Sequence, residues 1–332
     1  MDRNALINDF LKKNHLDKVR LDWLPSDASF RHYARIFAGQ KSYILMDAPP
    51  PENPHQFAVI DRILCENDLS APVIYASDFE NGLLLLEDFG SDSYAKMLQS
   101  GFDELTLYKT ALASLLQLEK VRDFKGVPLY DQAWIDYGLS AFTDWFIPCA
   151  LDRELTEDER KDFYQIWIDL FNSITNAPKG LILIDYHIDN MMYLKDRTGH
   201  RTCGLLDFQD ARVGPLAYDL ASLIEDARRD VPVQIKDEIL QLYLSAHPDW
   251  DKDLFMRSYH IVAVKRHLRV IGVFTRLKAR DGKDKYLQHI ARVWRLLESH
   301  LDLPYMQPLQ QWLDKVVSKD LRKAPQCLLN QK

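Results

Sequence analysis

Three polar side chains, Asp185, Asn190 and Asp207, follow or precede short apolar runs at spacings that could support chemistry. The segment 181–190, LILIDYHIDN, places a carboxylate and an amide five residues apart, and Asp207 follows the apolar run CGLL. A carboxylate can accept a proton from an attacking hydroxyl, and carboxylate and amide oxygens are hard ligands that suit Mg²⁺. If the runs around 191–194 and 203–206 pair as a β-hairpin, Asn190 and Asp207 converge on one cation.

The Asp-x4-Asn spacing is also that of the protein-kinase catalytic loop, where the Asp accepts the hydroxyl proton and the Asn binds Mg²⁺. Taken alone the spacing is a weak signal, because polar residues between strands are commonly turn-formers. The predicted hairpin would place Asp207 near Asn190, and this favours a phosphoryl-transfer site over a set of ordinary turn residues.

The elements around these residues change character along the chain. Apolar patterns predict strands at 31–37, 42–46, 73–75 and 83–87, with a helix from Asn53-Pro54 to about residue 68, and Asn81-Gly82 predicts a hairpin turn. Three- and four-residue spacing then predicts helices at 94–99, 104–119, 132–146 and 157–175, and again from Pro215 to about 301. The last sixteen residues are expected to form a loosely held tail.

Bulk properties narrow the class of protein. A 332-residue chain with 47% hydrophobic and 27% charged residues can bury a sizeable core. A net charge of −7 argues against general nucleic-acid binding, and neither a secretory signal nor a membrane-length apolar run is apparent. The four scattered cysteines suggest reduced thiols. We therefore expect a cytoplasmic protein that binds neither nucleic acid nor membrane, as a monomer or weak dimer.

The segment 207–221, DFQDARVGPLAYDLA, resembles the second motif of the aminoglycoside-phosphotransferase family. Further stretches are similar to bacterial sugar kinases that phosphorylate the anomeric hydroxyl of N-acetylmuramate and N-acetylglucosamine. These are DASFR at 27–31, MDAPP at 46–50, DYH at 185–187, LDFQDA at 206–211 and RDGK at 280–283.

This resemblance implies an α+β, protein-kinase-like bilobal fold, with an antiparallel sheet plus helix followed by a mainly helical lobe that contains a small catalytic β-hairpin. It implies a nucleotide-binding lobe at 1–89, a catalytic and acceptor-binding lobe at 90–316 and a tail at 317–332. The implied activity is transfer of phosphate from ATP, with Mg²⁺, to the alcohol group of a small molecule. The expected acceptor is the anomeric hydroxyl of an N-acetylhexosamine such as N-acetylmuramate, an anionic amino sugar, or N-acetylglucosamine. Alternatives are another small alcohol (choline, homoserine or an aminoglycoside) or a nucleotide-binding regulatory protein.

The resemblance also implies roles for individual residues. Asp185 matches the catalytic base, Asn190 and Asp207 match the magnesium ligands, and His187 and Asp219 are expected to brace the catalytic loop. The residues expected to bind the nucleotide are Ser29, Phe30 and Arg31, in a loop over the phosphates, and Glu87, Asp88 and Phe89, in the segment whose backbone holds adenine.

The sequence departs from the family pattern at several positions. Met46 stands where kinases carry a strand lysine that binds phosphates, so Lys41 or Arg31 is expected to compensate. The partner carboxylate on the first predicted helix would be Asp61 or Glu66. Leu183 and Ile184 replace the usual His and Arg or Gly before the catalytic Asp, and the stretch 137–140 lacks an acid that the sugar kinases tend to carry.

One dense basic stretch, residues 265–285, lies in this acidic chain. It suits an anionic acceptor better than a polycationic aminoglycoside, and it also fits a solvated helix face or, less readily, contact with nucleic acid. His187 likewise has two readings, contact with substrate or a bond to the backbone of its turn.

Overall fold

A computed structural model of the chain describes residues 2–25 and 30–329. The strands are β1 (Leu21–Trp23), β2 (His32–Ala38), β3 (Lys41–Asp47), β4 (Ile74–Asp78), β5 (Leu83–Glu87), β6 (Lys179–Ile182), β7 (Met191–Tyr193), β8 (Cys203–Leu205) and β9 (Arg212–Pro215). The helices are α1 (Arg3–Lys13), α2 (Pro54–Glu66), α3 (Tyr94–Gln99), α4 (Glu104–Leu118), α5 (Gln132–Ala141), α6 (Ile147–Leu151), α7 (Glu157–Asn172), α8 (Ala217–Ile224), α9 (Val233–Ser245), α10 (Lys252–Ala279), α11 (Ile290–Glu298), α12 (Gln307–Val316) and α13 (Gln326–Leu329).

The chain divides into two compact units. The first consists of Met1–Pro128 and Leu183–Ala211, and the second of Leu129–Ile182 and Arg212–Lys332. The predicted boundaries at 89/90 and 316/317 stay predictions. None of the helices in the described part of the chain has the length and hydropathy needed to cross a membrane.

The first unit contains an antiparallel sheet in the order β1-β2-β3-β5-β4. Alternate residues face the core because side chains in a strand repeat with period two, and Ala34, Leu45 and Leu85 lie opposite one another on adjacent strands. They pack with Ile7 and Phe10 of α1. The prediction of four strands and a helix is confirmed here. The sequence did not predict α1 or β1, and the three residues of β1 are too few to display an alternating pattern.

Two local signals in this unit are confirmed. Asn53 caps α2 by accepting a hydrogen bond from the backbone of Gln56 at 3.1 Å, and Pro54 begins the helix. Gly82 ends the turn between β4 and β5 at φ +68°, and a Cβ atom there would lie 2.1 Å from the carbonyl oxygen of Ala48. Only glycine fits this position without displacing the neighbouring backbone.

The predicted hairpin forms between β7 and β8, where Met191 lies opposite Leu205. The apolar run at 181–184, which precedes Asp185, does not join this hairpin. Its beginning belongs to β6, which pairs with β9 in a separate two-stranded sheet, with Ile182 opposite Arg212. A short apolar run carries no information about its partner strand, so the sequence did not predict this pairing.

The second unit is built around α10, a 28-residue helix. Gly272 of α10 lies so close to α5 that a Cβ atom would come within 2.1 Å of the carbonyl group of Ala141. A π-helical turn, Phe142–Phe146, follows α5, and its aromatic rings stack on each other and contact Trp294. Close helix packing and large aromatic rings together fill this core.

Two basic segments are more buried than their charge suggests. Lys265, Arg266 and His267 are at most 2% exposed, so the beginning of the basic stretch is core rather than a solvated face. The residues 317–329 are not a loosely held tail. Val317 and Arg322 are buried, and Arg322 forms ion pairs with Glu298 at 2.9 Å and Asp314 at 2.5 Å. Charge alone did not distinguish buried, paired cations from solvated ones.

Candidate active site

The loop at 183–190, which is the predicted catalytic loop, is held by a series of short-range backbone hydrogen bonds. Asp185 donates its N–H to the carbonyl of Leu183 at 2.9 Å, His187 donates to the carbonyl of Asp185 at 3.1 Å, and Asn190 donates to the carbonyl of His187 at 2.9 Å. The buried hydroxyl of Tyr186 donates to the carbonyl of Ala111 in α4 at 2.7 Å. These bonds fix the backbone that carries Asp185 and Asn190.

The side chain of Asn190 is oriented by the same loop. Its amide nitrogen donates to the backbone carbonyl of Asp185 at 3.0 Å, so the amide oxygen points away from that bond. The backbone carbonyl of Asn190 accepts the N–H of Leu206 at 3.0 Å, which extends the β7–β8 pairing by one step. Asp207, the next residue, is thereby held beside Asn190.

Two residues, one next to Asp185 and one a predicted metal ligand, adopt left-handed backbone conformations. Ile184 has φ +73° and Asp207 has φ +57°. A β-branched residue rarely occupies this region, and such conformations cost of order 1–3 kcal/mol. The resemblance implies Arg or Gly at the position of Ile184, and the left-handed conformation of a β-branched residue there indicates backbone strain next to Asp185.

A guanidinium group contacts the Asp207 carboxylate. Arg31 Nη2 lies 2.7 Å from Asp207 Oδ1, its Nε lies 3.4 Å from Glu52 Oε2, and Gln209 also donates to Asp207 Oδ1 at 3.0 Å. Burial by itself lowers the pKa of Arg31, but the nearby Tyr33, Asp207 and Glu52 raise it above its ordinary value. Burial raises the pKa of Tyr33 to about 12. Arg31 therefore stays charged inside this site.

The residues fit a magnesium ion. The oriented amide oxygen of Asn190 and the carboxylate of Asp207 form the small, hard oxygen donor set that Mg²⁺ takes in addition to substrate phosphates and water. The guanidinium of Arg31 on Asp207 shows that the carboxylate already faces a positive group. Asn190 and Asp207 are thus suited to hold Mg²⁺.

The segment predicted to contact adenine uses its side chains for contacts within the first unit. Glu87 pairs with Arg197 at 2.5 Å, and Asp88 accepts two hydrogen bonds from Arg35 at 2.7 and 3.0 Å. The ring of Phe89 lies 5.2 Å from the Arg197 guanidinium carbon. With the side chains held this way, the predicted role of this segment falls to its backbone.

The loop predicted to cover the phosphates is described only in part. Ser29 lies outside the described residues. Phe30 is 57% exposed, and its backbone N–H donates to Glu52 at 3.2 Å. The roles of both residues stay predictions.

The position of the missing strand lysine is apolar, because Met46 occupies it, and one of the two carboxylates that could pair with such a lysine is buried. Met46 is fully buried in β3, and Lys41 is exposed at the opposite end of that strand from Asp47. Of the two candidate carboxylates in α2, Glu66 is exposed and Asp61 is only 5% exposed. Burial, with the negative charge of Glu87, raises the pKa of Asp61 to about 7.

The two residues expected to brace the loop lie in different units. His187 is 4% exposed, and its Nε2 lies 3.4 Å from the amide nitrogen of Asn190, so it contacts the loop it belongs to. This contact favours the structural reading of His187. Asp219 is fully buried in α8 of the second unit. Its bracing role stays a prediction.

A buried polar cluster in the second unit was not predicted. Glu225 accepts hydrogen bonds from Tyr259 at 2.5 Å, His267 at 2.7 Å and His300 at 3.0 Å, and His260 Nδ1 lies 2.9 Å from His300 Nδ1. Glu225, His267 and His300 form a group of potential metal ligands, but their separations are those of hydrogen bonds. We treat the cluster as a structural network.

A second unpredicted feature is a buried lysine. Lys265 is fully buried, and within the described chain its Nζ has no hydrogen-bond partner. It lies 5.1 Å from the Tyr130 ring centroid and fills the space beside Gly138, where a Cβ atom would come within 2.3 Å of it. Burial holds the pKa of Lys265 well below its ordinary value. Gly138 falls in the stretch where an acid was expected.

Comparisons with known proteins identify relatives of this chain. The sequence pattern of the phosphotransferase enzyme family matches residues 23–255. An N-acetylmuramate/N-acetylglucosamine kinase of Caulobacter vibrioides is 32% identical, over 97% of this chain and 99% of that protein. A protein of the same name from Pseudomonas aeruginosa is 36% identical, over 82% of this chain and 81% of its own length.

Solved structures share the fold. A choline/ethanolamine kinase family protein from Mesorhizobium loti superimposes with a TM-score of 0.62 at 13% identity, over 95% of this chain and all of that one. The predicted protein-kinase-like α+β fold class is confirmed. Because the family pattern matches residues 23–255 and the Caulobacter vibrioides relative covers 97% of this chain at 32% identity, the chain belongs to the phosphotransferase enzyme family, the aminoglycoside-phosphotransferase group that the motif at 207–221 resembles.

Proposed function

We propose that the chain transfers the γ-phosphoryl group of ATP to the anomeric hydroxyl of an N-acetylhexosamine, with N-acetylmuramate and N-acetylglucosamine as the candidate acceptors. The observation that carries the reaction type is the arrangement of Asp185, Asn190 and Asp207 on one loop and hairpin of the first unit. The names of the two relatives, which match 97% and 82% of this chain, support the acceptor.

In the proposed reaction the Asp185 carboxylate accepts the proton of the acceptor hydroxyl. A bond forms between that oxygen and the γ-phosphorus while the bond from the γ-phosphorus to the β,γ-bridging oxygen breaks, and ADP leaves. Positioning and charge stabilisation supply most of the rate in phosphoryl transfer. The backbone bonds of the catalytic loop, which fix Asp185 relative to Asn190, serve that positioning.

Asn190 and Asp207 would hold Mg²⁺ through the amide oxygen and the carboxylate. The ion supplies neutralisation of the phosphate charge when it is bound. The chain's own contribution is to keep the two oxygen donors adjacent, through the hydrogen bond between Leu206 and Asn190 and the hairpin that follows.

A nucleotide-binding regulatory protein on the same scaffold is the second candidate, and the buried Met46 in place of the strand lysine favours it. This candidate keeps nucleotide binding and lacks transfer. The two are therefore separated by product formation rather than by binding.

The test is a transfer assay with purified protein, ATP and Mg²⁺ against N-acetylmuramate, N-acetylglucosamine, choline, homoserine and an aminoglycoside. Phosphorus NMR of the product should show a sugar 1-phosphate, whose phosphorus couples to the anomeric proton. Phosphate on another hydroxyl would overturn the anomeric assignment. Nucleotide binding without transfer to any acceptor would overturn the kinase in favour of the regulatory candidate.

A further inference from the structure

An ion pair connects Arg31, which is predicted to lie in the loop over the phosphates, with Asp207, a predicted magnesium ligand. Arg31 is 8% exposed, and its Nη2 lies 2.7 Å from Asp207 Oδ1. Asp207 is also a carboxylate suited to hold Mg²⁺. A protein cation thus contacts the carboxylate that is suited to the metal ion.

The position of Arg31 also addresses the missing strand lysine. Met46 offers no charge, and Lys41 is exposed at the far end of β3, whose seven residues span roughly 20 Å. Arg31 immediately precedes β2. The first residue of β2, His32, lies opposite Asp47, which follows Met46 in β3. Arg31 therefore supplies a cation at the end of the sheet where the lysine is absent.

The chemistry of the guanidinium suits a change of partner. Its planar fork matches carboxylate and phosphate oxygens equally, and it stays charged in a buried site. The second carboxylate, Glu52, contacts the Nε side of Arg31 at 3.4 Å, so the side chain can keep one acidic neighbour when the other changes.

We propose that Arg31 is the phosphate-binding cation of this enzyme and that Asp207 holds it until the nucleotide arrives. This inference rests on the proposed kinase function. Phosphate oxygens then replace Asp207 as the partner of Arg31, and Asp207 is released to the metal. Removing Arg31 therefore has two effects of opposite sign: Asp207 binds a divalent ion more readily without nucleotide, and the metal–nucleotide complex binds less tightly.

The experiment compares Arg31→Ala with the unaltered chain in two binding titrations, one with Mn²⁺ alone and one with AMP-PNP in the presence of Mg²⁺. We expect Mn²⁺ affinity to rise about 2- to 5-fold, as for loss of one competing ion pair. We expect AMP-PNP affinity to fall roughly 10- to 100-fold, as for loss of charge-assisted hydrogen bonds. Arg20→Ala is the matched control, because Arg20 is an exposed arginine of the same unit, paired with Asp22.

A second variant, Arg31→Lys, guards against misfolding by keeping a positive charge beside Asp207. It should leave Mn²⁺ affinity unchanged and weaken AMP-PNP binding less than the alanine variant does, because an ammonium lacks the planar fork. If the unaltered chain transfers phosphate but both Arg31 variants bind AMP-PNP normally, this inference alone fails. If the unaltered chain neither binds the nucleotide nor transfers phosphate, the proposed function fails with it.

Discussion

The backbone N–H of Leu206 donates to the carbonyl oxygen of Asn190 at 3.0 Å, and this hydrogen bond ties the residue before Asp207 to the backbone of Asn190. Asn190 immediately precedes β7, and Asp207 follows β8 after one residue. The β7–β8 pairing, with Met191 opposite Leu205, continues into this bond. The geometry of the proposed metal site is therefore set by backbone pairing, and its chemistry by two side chains.

Replacing Asp185 by Ala should lower kcat by roughly 10²- to 10⁴-fold while leaving ATP binding unchanged, because only the proton acceptor is removed. The measurement is steady-state transfer to N-acetylglucosamine, together with a nucleotide-binding titration. Asp189→Ala is the matched control, since Asp189 is an exposed carboxylate of the same loop. Equal activity of the Asp185 variant and the unaltered chain would remove Asp185 from the proposed mechanism.

Replacing Asp207 by Asn should raise the Mg²⁺ concentration needed for half-maximal activity by at least about 10-fold, because one anionic oxygen ligand is lost. Activity is measured over a Mg²⁺ series at saturating ATP. The control is Asp210→Asn, three residues further along. An unchanged Mg²⁺ requirement would mean that Asp207 is not a metal ligand.

Replacing Asp61 by Asn should stabilise the protein at pH 8 and have a smaller effect at pH 5. The pKa of Asp61 is raised to about 7 by burial, so its contribution to stability is present at low pH and is lost as the pH rises through that value. The neutral amide avoids this loss. In thermal unfolding we expect the Tm of Asp61→Asn to exceed that of the unaltered chain by several degrees at pH 8, at roughly 2–4 °C per kcal/mol, and by less at pH 5.

The control for Asp61 is Glu66→Gln, which neutralises an exposed carboxylate in the same helix. Its Tm should follow that of the unaltered chain at both pH values. A Tm difference for Asp61→Asn that does not grow with pH would contradict a titrating buried carboxyl.

Replacing Lys265 by Met should raise the free energy of unfolding at pH 7 by about 1–3 kcal/mol, because an apolar side chain of similar length avoids burying an amine. The pKa of Lys265 is lower in the folded chain than in the unfolded chain. As the pH falls below about 10, the unfolded chain therefore binds a proton that the folded chain does not, and the unaltered protein loses stability. Urea unfolding at pH 7 and 9 tests this. The gain should shrink at pH 9, whereas Lys252→Met, at an exposed site of the same helix, should show no such gain.

The histidines near Glu225 predict a loss of stability in acid. Burial lowers the pKa of His260 and of His267 to about 4, so between pH 6.5 and 4 the unfolded chain binds protons that the folded chain does not. Replacing His260 by Asn keeps a hydrogen-bond donor without a titrating ring. In this variant the slope of the unfolding free energy against pH should be smaller than in the unaltered chain by up to about 1.4 kcal/mol per pH unit, which corresponds to one proton.

The control for the acid dependence is His15→Asn, at an exposed histidine in a left-handed conformation that Asn tolerates. Its slope should match that of the unaltered chain in urea unfolding from pH 7 to 4. If the slope for His260→Asn is unchanged as well, His260 does not account for the acid sensitivity.

The sequence by itself determined the elements with local signals. The Asn53-Pro54 helix start, the Asn81-Gly82 turn and the hairpin between Asn190 and Asp207 were predicted because capping, turn chemistry and apolar alternation act within a few residues. The motif at 207–221 was enough to indicate the family.

The tertiary structure alone decided which partners meet. The pairing of Arg31 with Asp207, the burial of Asp61 and Lys265, and the convergence of His267 and His300 on Glu225 join residues that are far apart in the chain. A charged residue carries no sequence signal that separates a solvated position from a buried one, because burial depends on what packs over it. The spacing of Asp185, Asn190 and Asp207 indicates phosphoryl transfer from the sequence alone. Only folding brings the Arg31 guanidinium to Asp207.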